Sequence, residues 1–165
     1  METINLNLNN KTNIDNNGVY EMELSQSQAD RLMRLRKIFI DKSPIIVNRP
    51  FNHKRDLVSL ENQDDKFYLN VSQIAIDFGK YSTQTRFFTI PLVRICIDED
   101  ARHENPDGAI IIGSHIHIYT EGFKDTIAYP INDYNFEVED IAKLLDKFLK
   151  YCNIESIKII DQTTI

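Results

Sequence analysis

The chain has no tryptophan, two cysteines, five glycines and five prolines among its 165 residues. Each scarcity excludes something. Cys96 and Cys152 are too few for a disulfide framework, so a reduced, cytoplasmic protein is the expectation. Neither has a second cysteine at ligand spacing, which argues against a cysteine-based zinc site. With so few glycines there is no Gly-x-Gly-x-x-Gly fingerprint and no phosphate-binding loop, and no serine nucleophile elbow occurs. No apolar run reaches about 18 residues, so no membrane span is expected. A basic start followed by an apolar stretch is also missing, so no secretory signal is expected. What remains, at 42% hydrophobic, is composition enough for one domain over 1–165 with a real core.

Charge is unevenly spread. The net charge is −6. Residues 31–55 nevertheless hold eight basic residues against Asp41 alone, while the rest holds eleven basic and twenty-four acidic residues. Within the basic stretch, Arg31, Arg34 and Lys37 fall on the outer side of an expected helix. They form either an ordinary solvated face or a surface for an anionic partner such as RNA, DNA or an acidic protein. The acidic remainder suits the basic groove of a partner protein.

Alternation predicts α+β architecture: an antiparallel sheet packed by two helices, with an N-terminal hairpin. Residues 1–8 and 19–24 read as that hairpin around Asn17-Gly18, an extension to a core over 25–165. Ser25-x-x-Gln28 is a capping box, predicting a helix to about Phe39 with Leu32, Leu35 and Phe39 inward. Strands are expected at Asp56–Leu60, Phe67–Val71, Ile74–Phe78, Thr85–Ile90 and Leu92–Ile97. A long strand over Ile110–Thr120 is expected to pair with Thr126–Ile131. Ile141, Leu144, Leu145, Phe148 and Leu149 line one face of a helix over about Phe136–Cys152, with Asn153 at its left-handed stop. A last strand is expected at Ile157–Ile160. Cys96, inside an apolar strand, is expected in the core.

The richest segment runs from Arg102 to Gly122 and carries three of the four histidines. His115 and His117 share one strand face with Tyr119, and Ile116 and Ile118 share the other. The turn sequence Asn105-Pro106-Asp107-Gly108 holds His103 near the strand's entry. Three uses of this cluster stand open: polar sheet-face structure, a metal site completed by a third histidine or Asp107, and metal-free acid–base cleavage of RNA. In the last, two histidines supply base and acid while a cation such as Arg94, Arg86 or Lys124 stabilises the phosphorane. The residues carried forward as catalytic are His103, His115, His117 and Arg94, with no cofactor and no metal assigned.

The runs Arg94-Ile95, His103-Glu104-Asn105-Pro106-Asp107-Gly108 and His115-Ile116-His117-Ile118-Tyr119-Thr120-Glu121-Gly122 resemble an uncharacterised bacterial and phage family of unknown function. The likeness covers roughly residues 66–157. Cys96 stands where that pattern leads one to expect an aspartate. More distantly, an arginine strand followed by histidine and then His-x-His is similar to TumE-like toxins of toxin–antitoxin modules. The resemblance implies a phage or mobile-element setting. The preferred expectation is therefore an acidic inhibitor of a nucleic-acid-handling partner, an anti-defence role such as CRISPR inhibition. It would contact that partner through Arg31, Arg34, Lys37, Asp98, Glu99 and Asp100. The alternative is an RNA-cleaving toxin with a cognate antitoxin. Oligomeric state stays open.

Overall fold

The computed structural model describes residues 12–14, 20–48, 50–81, 90–138 and 140–162. In chain order its elements are β1 (Thr12–Ile14), β2 (Tyr20–Met22), α1 (Gln26–Arg34), β3 (Lys37–Phe39), β4 (Ile45–Val47), β5 (Asn52–Ser59), β6 (Lys66–Ser72), β7 (Ala75–Tyr81) and β8 (Ile90–Cys96). There follow β9 (Arg102–Glu104), β10 (Ile110–Ile112), β11 (His115–Ile118), β12 (Ala128–Pro130), α2 (Ile141–Tyr151) and β13 (Ile159–Asp161). The fold is α+β. Seven strands form an antiparallel sheet in the order β12-β11-β8-β7-β6-β5-β3.

One face of this sheet is apolar. Phe39, Leu57, Phe67, Leu69, Val71, Ile76, Phe78, Val93, Ile95 and Ile116 are all buried, and they share a cluster with Leu32 of α1, Leu35 at its C-cap, and Leu144, Leu145, Phe148 and Leu149 of α2. The other face carries the polar residues of the same strands. Directly opposite one another on successive strands stand Lys54, Asn70, Asp77, Arg94 and His117. Adjacent strands are about 4.8 Å apart, so this register lays five polar side chains in one row across the sheet.

Several expectations are corrected. The first helix stops at Arg34, five residues short of Phe39, although its capping box forms as expected, with Ser25 accepting from the Gln28 N–H and Gln28 accepting from the Ser25 N–H. The chain turns extended at Leu35, and Lys37–Phe39 pairs with Leu57–Ser59. Sheet pairing outcompetes helix propagation there because it buries Phe39 beside Leu57. Lys37 is consequently not a surface residue. It is entirely buried, its Nζ donating to Met33 O (2.8 Å), in the last turn of α1, and to Cys152 O (2.7 Å), at the C-cap of α2. A cation between two helix C-termini meets two negative dipole ends at once. The Phe67 and Phe78 rings lie under it, 5.4 and 4.9 Å from Nζ.

The expected long strand Ile110–Thr120 is broken at Gly113, whose φ of +87° only glycine adopts without strain. Before the break, β10 pairs with β9 in a hairpin; after it, β11 pairs with β8 in the sheet. The second helix starts at Ile141, not Phe136, because Asp140 is the cap, accepting from the Ala142 and Lys143 N–H groups. Asn153 takes the left-handed position, φ +53°. The final strand pairs in parallel with β4, an apolar segment between Pro44 and Pro50 that carries too little pattern to be read as a strand. β1 pairs with β2. The expected hairpin strand over residues 1–8, the Asn17-Gly18 turn and most of the Thr85–Ile90 strand lie outside the described residues.

Candidate functional site

The three histidines converge. The rings of His103 and His117 are 4.8 Å apart between centroids, those of His115 and His117 4.9 Å, and those of His103 and His115 5.6 Å. Alternation puts His115 and His117 of β11 on one face. His103 arrives from a different sheet, because β9 folds over on its hairpin. Asn105 fastens that hairpin. Its Oδ1 accepts from the Ala128 N–H at 2.8 Å and its Nδ2 donates to Ala128 O at 2.9 Å, so one side chain supplies the pair of bonds a neighbouring strand would make.

Each ring is tied to a main-chain carbonyl. His115 Nδ1 donates to Gly113 O, His117 Nδ1 to Asp125 O and His103 Nε2 to Thr126 O, all at 2.8 Å. A carbonyl only accepts, so these nitrogens carry the protons. In the neutral form of each ring, the other nitrogen (Nε2 of His115 and His117, Nδ1 of His103) is the one that carries the lone pair. His115 and His117 are 5% and 2% exposed. Burial, and then the Arg94 charge, pushes the His117 pKa down to about 4, so that ring is neutral at physiological pH.

Arg94 faces His117 across the ladder and lies 4.0 Å from Asp77 and 3.5 Å from Asp125. Burial raises the Asp77 carboxyl above the usual carboxylate range, although Arg94 opposes that shift. Cys96 is directly opposite His115. This corrects its expected core position: it is only half-buried and stands on the polar face, with burial pushing its thiol pKa up. The core cysteine is Cys152.

The other residues named from the sequence distribute as follows. Asp98, Glu99 and Asp100 are exposed at the β8–β9 turn, which Asp98 braces by accepting from the Asp100 N–H at 2.9 Å. Arg31 and Arg34 are exposed on α1, whereas Lys37 is withdrawn from any contact surface by the burial described above. Arg86 lies outside the described residues. Tyr119 is buried: its hydroxyl donates to Leu24 O at 2.6 Å and accepts from the Leu24 N–H at 2.9 Å. Sequence reasoning missed Asp77 and Asp125. A lone acid inside the apolar run Ile74–Phe78 was the available signal for the first.

The two motifs thereby divide into site and scaffold. In His-x-Asn-Pro-Asp-Gly, His103 enters the cluster, while Asn105 imitates a strand, Asp107 accepts from the Ala109 N–H and Gly108 turns the chain at φ +85°. In His-x-His-x-Tyr-x-Glu-Gly, the histidines enter the cluster while Tyr119 and Glu121 hold the chain before α1. Gly122 turns at φ +79°.

The class so defined is an α+β protein with a histidine-lined site on the polar face of an antiparallel sheet. Residues 24–154 match DUF6978, a family of unknown function, and the chain belongs to it. No curated protein and no solved structure matches it. Among the described residues, no helix is long and apolar enough to cross a membrane.

Proposed function

We propose that this chain is a binding protein that docks, through the β9–β10 hairpin and the turn before it, on the basic surface of a nucleic-acid-handling protein, and so inhibits it. The observation that carries this reading is the coincidence of acid and exposed apolar surface there. Between residues 98 and 107 stand five acids against Arg102 alone. Pairing of Arg102–Glu104 with Ile110–Ile112 puts His103 and Ile111 on one face of the hairpin. The opposite face carries Arg102, Glu104, Ile110 and Ile112, and the two isoleucines are 47% and 66% exposed. Phe123, also exposed, borders a cleft with Asn105, Pro106, Asp107 and Ile127. Acidic groups accelerate encounter with a basic groove, and apolar anchors supply affinity. A phage or mobile-element inhibitor of a defence nuclease fits this surface.

The test is association of the purified chain with a panel of basic defence nucleases, in the presence and absence of competing duplex. Asp98/Glu99/Asp100→Lys is expected to slow association by ~10-fold or more and to flatten its salt dependence. Capture and inhibition unchanged by the triple reversal would remove this turn from the interface.

RNA cleavage is the second reading, favoured by one observation, the placement of Arg94 opposite His117. Against it stands the burial of both β11 rings, since a general acid or base must reach the scissile group. Wild-type protein that degrades RNA without added metal would restore it over the binding reading.

A further inference from the structure

The polar face of β8 and β11 places three metal-ligating side chains together outside the proposed docking hairpin. One ligand atom each from Cys96, His115 and His117 all lie within 4.8 Å of one another. We infer that these three residues form a binding site for Zn2+ or a similar borderline-soft divalent ion.

Three independent features support this. The first is spacing. Tetrahedral zinc with Zn–N of about 2.0–2.1 Å and Zn–S of about 2.3 Å holds its ligand atoms roughly 3.3–3.7 Å apart. The observed cluster is open by little more than an ångström at its widest. His115 and Cys96 are paired residues of one ladder and His117 is two positions along, so a small rotation of side chains closes it. The second is tautomer. A ligating imidazole almost always gives its other N–H to a carbonyl or carboxylate, which aims the free lone pair. His115 and His117 both do so, to Gly113 O and Asp125 O. The third is the ligand set. Imidazole nitrogen and thiolate sulfur are both zinc donors, and three protein ligands leave the fourth tetrahedral position open. The nearest further ring is that of His103, itself fixed by Thr126 O.

The charges facing the site are balanced. Arg94 brings a positive charge, and Asp77 and Asp125 stand beside it. On binding, the Cys96 S–H bond breaks and an S–Zn bond forms, with the proton released to solvent. A neutral imidazole binds through its lone pair and releases nothing, so the thiol supplies the proton that leaves. The site lies beneath the hairpin that carries His103, so an ion there would also brace the proposed docking surface without depending on it.

The experiment is titration of the intact, metal-stripped chain with Co2+ as a spectroscopic probe, followed by displacement with Zn2+. One equivalent is expected to bind with a thiolate-to-cobalt charge-transfer band. Cys96→Ser is expected to abolish the band and to weaken Zn2+ binding ~100-fold or more, beyond the 10–100-fold typical of losing an orienting partner. His103→Gln is expected to keep the band, and His53→Gln, remote on β5, to change nothing. If Cys96→Ser does not fold, alkylation of the wild type decides. Cys152 is wholly buried, so mild iodoacetamide reports on Cys96, and Zn2+ is expected to protect it. No charge-transfer band with no protection, or a folded Cys96→Ser chain that binds Zn2+ as tightly as wild type, would overturn the inference. Association with nuclease partners can fail while cobalt binds, so the two proposals fall separately.

Discussion

Lys37→Ala is expected to destabilise the protein by about 3–5 kcal/mol, measured by urea unfolding at neutral pH. The substitution leaves the space of a wholly buried side chain and strips Met33 O and Cys152 O of their donor. It also removes the cation from over Phe67 and Phe78. Lys37→Met keeps the stem and loses only the ammonium, so its cost is expected to be smaller, about 1–3 kcal/mol. A pH series separates the charge from the packing. Burial pushes the folded-state pKa of Lys37 down to about 8 from 10.5. Between those values the unfolded chain holds a proton that the folded chain has released. Stability due to this group therefore rises with pH across about 8 to 10.5, by ~3 kcal/mol at most. Raised pKa values at Tyr119, Tyr134 and Tyr151 act in the opposite sense at the top of that window. The quantity to plot is thus wild type minus Lys37→Met, which is expected to grow in favour of wild type as pH rises from 8. A flat difference would mean that the two carbonyls hold the proton on.

Tyr119→Phe is expected to cost about 2–3 kcal/mol and to loosen the start of α1. The hydroxyl satisfies both main-chain groups of buried Leu24, and phenylalanine satisfies neither. The neighbouring contacts show what is lost. Glu121 Oε2 accepts from the Gln26 N–H, Gln26 Oε1 accepts from the Glu121 N–H, and Glu23 Oε1 accepts from the Gly122 N–H. Residues 23–26 are thus clasped to residues 119–122. Hydrogen exchange should show amides from Leu24 to Ala29 losing protection in the variant while those of β6 and β7 keep theirs. Uniform loss across the chain would mean that the clasp is part of the global unfolding unit instead.

Much of this protein was legible locally. The Ser25–Gln28 box, the apolar stripe of α2, the left-handed Asn153 and the shared face of His115 and His117 follow from periods of 3.6 and 2 and from cap chemistry. Such features depend on residues a few positions apart, which the sequence lists in order. The convergence of His103 was suggested by the Asn-Pro-Asp-Gly turn, but its closure rests on Asn105 reaching Ala128, 23 positions away.

The rest was decided by register. Lys37 looked like one more cation on a helix face because its neighbours are Arg34 and Arg36. Only the packing of two helix ends over β3 makes its ammonium the donor for both. Cys96 looked like core because Ile95 and Ile97 flank it. Its true neighbours are Ala75 and His115 on adjacent strands, and only strand order shows them. The row from Lys54 to His117 has the same origin: five residues spread over 64 positions become adjacent when four ladders fall into register. By itself the sequence determined which residues suit each face of each element, since hydrophobic pattern is a local property of the chain. Which polar residues meet on the far face was settled by tertiary structure, because strand pairing is chosen by the buried face and carries the opposite one with it.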